Sequence, residues 1–243
     1  MLIGLLRGVL LAAAVVVVVA LGACGGDDGP AEPAIPPDAV AVRIAAAEAM
    51  GEVGSARFTI EREGAPVHID DEEALAFERA EGRFAAPASS DAVLTLSANG
   101  TAIEVGAVAV DGETWITNPV TGRWEAAPES LAFDPATLFD PDVGWRPLLA
   151  DGLRDVALVE PAPDEAGRYR LRGVADASRT EVLTGGLVEQ RVPIDVWVDA
   201  VSGRVTEARF EASAPEGTSA WRIALSGYGD EIVVTPPDLG TGG

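Results

Sequence analysis

Short runs of alternating apolar and polar residues make up most of this chain, and dipeptides that favour positive backbone φ separate several of them. Ser55–Glu63 sets Phe58 and Ile60 against Arg57, Thr59 and Glu61. Leu75–Phe84 sets Leu75, Phe77 and Arg79 against Ala76, Glu78 and Ala80. Ala92–Ala98, Ala102–Val110 and Thr114–Thr117 follow, divided by Asn99-Gly100 and Asp111-Gly112. The last third repeats the pattern in Arg168–Gly173, Val192–Val198, Val205–Ser213 and Ala220–Tyr228, with Ser202-Gly203 as a turn. A period of two is the mark of a strand with one buried face, and tight turns make successive strands antiparallel neighbours.

Two segments break that rhythm. Asp38 is placed to cap a helix over 38–53, with Val42, Ala45, Ala46, Ala49 and Met50 near one face and Gly51 and Gly54 to end it. Residues 128–159 are apolar through Phe133, Leu138, Phe139, Val143, Trp145, Leu148, Leu149 and Leu153. Pro135 and Pro141 cut this stretch into short helical pieces, each predicted to start at an Asp-Pro pair. Helix, strands, short helices, strands is the order of an α+β protein with a mostly antiparallel sheet. The pattern leaves open whether the second group of strands joins the first sheet.

The amino terminus carries a different signal. Arg7 precedes an apolar run from Val9 to Leu21, which ends in Leu21-Gly22-Ala23-Cys24. A short basic region, a run of this length and small residues at its end describe an export signal over 1–23. Leu21, Gly22 and Ala23 match the lipobox of bacterial lipoproteins, which makes Cys24 the expected site of diacylglycerol attachment and palmitate addition. An uncleaved anchor or a buried thiol are the alternatives. Residues 24–37 are rich in glycine, proline and acid, as a solvated tether is; 38–234 reads as one folded domain, and 235–243 as a frayed tail.

Charge and residue chemistry narrow the function. The 243 residues hold 39 acids against 17 bases, all arginine, for a net charge of −22, which excludes a nucleic-acid partner. A single cysteine excludes an internal disulfide, and His68 is the only histidine. No Gly-x-Ser-x-Gly elbow occurs, and the acids at 70–73 lack the alternation of a calcium loop. No catalytic residue, metal or cofactor is therefore expected. Trp115, Trp124, Trp145, Trp197 and Trp221 suit packing in a sheet better than stacking on sugars.

Four stretches together carry a resemblance: 77–92, 111–128, 192–210 and, most distinctive, FDPATLFDPDVGWRPLL at 133–149 with its two Asp-Pro units and Gly-Trp. Behind a lipobox, their order and spacing resemble the LppX/LprAFG family of actinobacterial envelope lipoproteins. That resemblance implies a strongly curved, mostly antiparallel half-barrel sheet, similar to the LolA/LolB carriers, with helices on its concave face. It also implies an apolar cavity for acylated lipid (glycolipid, lipoglycan or triacylglycerol), no enzymatic activity, and a place on the outer face of the cell membrane.

The residues expected to line such a cavity are Val42, Ala46, Ala49, Val105, Ala107, Val108, Phe133, Leu138, Phe139, Trp145, Leu148 and Leu149. Small residues on the 102–110 strand (Gly106, Ala107, Ala109) suit an open slot, but periodicity alone favours a filled core, and only the family resemblance turns the reading toward a cavity. That strand is apolar on both alternating faces, so its register is open. Two other roles stay open: a structural or signalling lipoprotein with a closed interior, and an accessory subunit that hands lipid to a membrane transporter.

Overall fold

The computed structural model describes residues 34–70, 72–128 and 134–239, all within one compact unit. Cys24, the lipobox and Phe133 lie outside the described residues. Helix α1 (Ala39–Gly51) comes first, and the Asp38 carboxylate accepts hydrogen bonds from the amides of Val40 and Ala41. Six strands follow: β1 (Ser55–Gly64), β2 (Ala76–Ala85), β3 (Ser89–Ala98), β4 (Thr101–Val110), β5 (Glu113–Thr117) and β6 (Trp124–Ala126). A 3₁₀ turn (Pro135–Phe139), the single helical turn α2 (Trp145–Pro147) and a wider π-type turn (Leu148–Gly152) lead to β7 (Leu153–Leu158). Then come β8 (Arg168–Ala175), α3 (Ala177–Leu183), β9 (Val192–Asp199), β10 (Val205–Ala214) and β11 (Gly217–Ser226).

All eleven strands belong to one antiparallel sheet in the order β6-β5-β4-β3-β2-β1-β11-β10-β9-β8-β7. Two meanders run outward and back, and they meet where β1 pairs with β11, from Arg57↔Ser226 to Gly64↔Ser219. The second group of strands thus returns to the first sheet. Asn99 and Gly100, and Asp111 and Gly112, all take positive φ in the β3–β4 and β4–β5 turns, as two-residue hairpins of this twist require. The β9–β10 connection is longer than a Ser-Gly turn: the Asp199 carboxylate accepts from the amides of Val201 and Ser202, and Gly203 supplies the positive φ (72°).

The two faces differ in kind. Inward residues Ala56, Phe58 and Ile60 of β1 join Ile223 and Leu225 of β11, Val196 of β9 and Leu171 of β8 in one apolar cluster with the helical segments. The outer face is polar, and register places Glu104, Thr95, Arg79, Glu61, Arg222, Arg209, Asp195 and Arg172 in a row across eight strands. Opposite charges pair along it: Arg79 and Arg222 on Glu61, Arg170 and Arg172 on Asp195, and Arg209 and Arg222 on Glu207. Trp197 lies on this face too, with the guanidinium groups of Arg170 and Arg209 at 4.9 and 5.1 Å from its ring.

Alternation fails as a guide in β2. A register shift between Phe77 and Arg79 lets both Phe77 and Ala80 turn inward, so Arg79 joins the outer row instead of sharing a face with Phe77.

Asp195 carries a pH signature. Burial opposes its ionised form, but hydrogen bonds from Arg172 and Arg170 outweigh that and hold the carboxyl below the ordinary carboxylate value. A carboxyl depressed by folding stabilises the fold above the unfolded-state pKa, and that contribution disappears as pH falls through the folded value. The stability gap between wild type and Asp195→Asn should be roughly 1–2 kcal/mol above about pH 5 and close progressively below about pH 4. Chemical denaturation of both proteins across that range measures it; a gap that stays constant or widens in acid contradicts the assignment.

Candidate functional site

The candidate site is the apolar interior between the inner face of the sheet and the helical layer. From α1 come Val42, Ala46 and Met50, all at or near zero exposure. From the segment between β6 and β7 come Leu138, Phe139, Trp145, Leu148 and Leu149, all buried in the same cluster. The sheet answers with Phe58, Phe84, Leu94, Val105, Ala107 and Val196. The Phe84 and Phe139 rings stack with centroids 4.5 Å apart, which pins the 3₁₀ turn to β2. Farther along the sheet, Trp221 lies parallel to Phe77 and Phe210, at 5.6 and 6.1 Å.

Local chemistry explains the broken helical layer. Asp134 caps the 3₁₀ turn through the Ala136 amide, with Pro135 in the first turn as the sequence suggested. The second Asp-Pro pair behaves differently from the expectation. The Asp140 carboxylate accepts from the amides of Asp142 and Val143, which closes a turn, and helical geometry starts only at Trp145 after Gly144. Gly144 has no room for a side chain: an added Cβ would lie 2.2 Å from the Leu138 carbonyl oxygen. The layer stops at Gly152, and Leu153 already belongs to β7.

Arginines tie these pieces together through backbone carbonyls. The Arg43 guanidinium on α1 donates to the carbonyls of Leu149 (2.6 Å) and Ala150, and Arg179 on α3 donates to that of Val143 at 3.2 Å. Helix α3 is a contributor that the sequence reading passed over. Its signals were present in Asp176, Val182, Leu183 and the closing Gly185-Gly186 pair, but the helix has only 7 residues.

The expected lining residues separate into groups. Val42, Ala46, Val105, Ala107, Leu138, Phe139, Trp145, Leu148 and Leu149 all lie in the interior cluster. Ala49 is only half-buried and turns toward the β9–β10 connection, where a Cβ on Gly203 would be 3.3 Å from its own. Val108 must be corrected. Its neighbour Ala107 faces inward, so strand pleating puts Val108 on the outer face opposite Asp91 and Trp115, in a small separate cluster with Val110 and Trp115. His68 bridges to Ala76 beside the Asp70 turn, and the Asp70 carboxylate accepts from the amides of Ala74 and Leu75. Outer-face grooves of ≈ 980 Å³ and ≈ 820 Å³ are lined in part by ion-paired groups, among them Arg172 with Asp195, Arg222 with Glu61 and Arg83 with Asp91.

The LppX_LprAFG lipoprotein profile matches residues 38–234, the span from the α1 cap to just beyond β11. The chain belongs to the LppX_LprAFG lipoprotein family. Its fold is similar to that of LprF from Mycobacterium bovis, with a TM-score of 0.62 at 15% identity over 82% of this chain and 96% of that one. It is also similar to LppX from Mycobacterium tuberculosis, with a TM-score of 0.54 at 16% identity over 81% of this chain and 97% of that one. No curated protein matches the chain in sequence. In this family member the architecture is an open antiparallel sheet of eleven strands with a few helices on one face.

Replacing Arg43 by methionine keeps the apolar stem and removes the guanidinium donors. A loss of about 1–2 kcal/mol is expected, or a melting point lower by a few degrees. Amide exchange should accelerate in 145–152 while β1 and β11 stay protected. Uniform acceleration across the sheet would mean that Arg43 does not specifically hold the cover.

Proposed function

We propose that this lipoprotein is a non-enzymatic carrier that holds acylated lipid in the interior between sheet and helical layer and moves it across the cell envelope. The observation that carries the reading is the cover itself. A continuous apolar sheet face is roofed by α1 and three turns of five residues or fewer, so the roof can separate from the sheet piece by piece. Long acyl chains gain about 25 cal/mol per Å² when removed from water, or about 0.8 kcal/mol per CH₂, so a slot of this lining needs little polar guidance. Family membership supports the same reading, as does the fold shared with LprF and LppX.

Attachment follows from the amino terminus. The chain is exported, acylated on Cys24 and held at the outer face of the membrane, with 24–33 as tether; residues 34–37, read from the sequence as tether, instead belong with the carrier domain, because the Ala34 and Ile35 amides donate to the Ala200 carbonyl and Ile35 is buried in the core. Fully extended, that tether reaches at most about 35 Å, enough to let the domain turn and still meet the bilayer. Two acyl chains suffice for stable anchoring. Exchanging Cys24 for serine should move the protein from the membrane pellet to the soluble fraction or leave it as an unprocessed precursor. A processed Cys24→Ser protein that stays in the membrane would point to another anchor.

Strand facing supplies the test of cargo. Tryptophan at Ala107 enters the interior, whereas tryptophan at Val108 enlarges the outer cluster. Mass spectrometry of lipid extracted from the purified proteins should find bound acyl lipid with wild type and Val108→Trp and several-fold less with Ala107→Trp. A wild type that yields no lipid, together with an Ala107→Trp variant that unfolds, would mean that the interior is a filled core.

A further inference from the structure

The Trp145 indole Nε1 is buried and has no hydrogen-bond partner among the described residues. Trp145 itself has 0% exposure and lies in the helical layer of the apolar cluster. Other buried aromatic polar groups are satisfied: Trp221 Nε1 donates to Ser219 Oγ at 2.9 Å, and the Tyr169 hydroxyl donates to the Ile35 carbonyl at 2.9 Å. A phenylalanine would fill such a place without an orphan donor, as Phe139 does in the preceding turn. Buried polar groups without partners are rare because they forfeit their hydrogen bonds to water, so each one needs an account.

We propose that the acceptor for Trp145 Nε1 arrives with the cargo, as a neutral ester or amide carbonyl at the head of an acyl chain. This rests on the lipid-carrier reading and refines it. A single neutral donor in an apolar layer balances a neutral carbonyl; a phosphate or carboxylate buried there would keep most of its desolvation cost. Tight packing of Gly144 against the Leu138 carbonyl fixes the backbone that presents the ring, so the N–H is held in place before lipid arrives.

The test compares the full chain, delipidated, with its Trp145→Phe variant. The probes are trioleoylglycerol, which has ester carbonyls, and the matched glyceryl trioleyl ether, which has none. Wild type should bind the ester more tightly. The variant should lose about five- to tenfold in affinity for the ester and little for the ether, the weight of one neutral hydrogen bond. A variant that binds both probes as wild type does would overturn the proposal. If the variant fails to fold, the indole ¹⁵N–H resonance of Trp145 in wild type decides: a downfield shift with the ester but not the ether supports it, and no difference rejects it. If wild type and the Trp145→Phe variant both fold and neither binds either probe, the carrier reading itself is refuted.

Discussion

The pairing of β1 with β11 is the contact on which the rest depends. These strands lie far apart in sequence, and their eight-residue register turns two separate meanders into one sheet with a continuous apolar face. The cover needs that union. Helix α1 precedes β1 in sequence, yet it packs beside β7 and β8 of the other half as well as against α2. The start of the described chain is stitched to that half too: the amides of Ala34 and Ile35 donate to the Ala200 carbonyl, and Tyr169 holds the Ile35 carbonyl. Long-range closure of this kind must overcome loop entropy before the contacts reward it, so the native contacts of the cover are complete only when both halves of the sheet are joined.

The sheet separates two kinds of stabilisation. On its outer face, individual ion pairs contribute little, but their alternation across strands gives each strand a charge pattern that fits its own neighbours. Glu207 is the extreme case, with a side chain 8% exposed among Arg168, Arg209 and Arg222. The edges are guarded by shortness at β6, which has 3 residues, and by the charges of Arg154 and Asp155 together with a register irregularity in β7. The inner face has the opposite character and no such internal partners. Its apolar surface is satisfied only by whatever roofs or fills it, and that places the candidate site inside.

Strands were legible because a half-buried antiparallel sheet writes its period directly into side-chain polarity, and positive-φ dipeptides such as Asn99-Gly100 mark where it turns. The inward facing of the apolar residues on α1 and in 138–149 was legible for a related reason: apolar clusters there had no other place to go. What stayed hidden depended on backbone detail. One inserted residue near Glu78 reverses the facing of half a strand. Alanine and valine alternate from 107 to 110 without polar contrast, so nothing local distinguished Ala107 from Val108; pairing with β3 decided it. Asp140 has the same sequence context as Asp134 but closes a turn, because the chain must bend before Gly144 fits against Leu138.

A packed single helix across the sheet would have covered the interior with a cooperative element, lost all at once or not at all. The segment between β6 and β7 instead uses turns too short to be stable alone, held by the Phe84–Phe139 stack and by arginine-to-carbonyl bonds from α1 and α3. Segments held by so few elements of their own characteristically open at lower free energy than the strands of a sheet. Hydrogen bonds from Arg43 and Arg179 reach carbonyls that these short turns leave without helical partners, so their loss frees the segment without unpairing any strand. The carrier role proposed above calls for this division: a sheet stable enough to keep its register, under a roof stable enough to exclude water and weak enough to move.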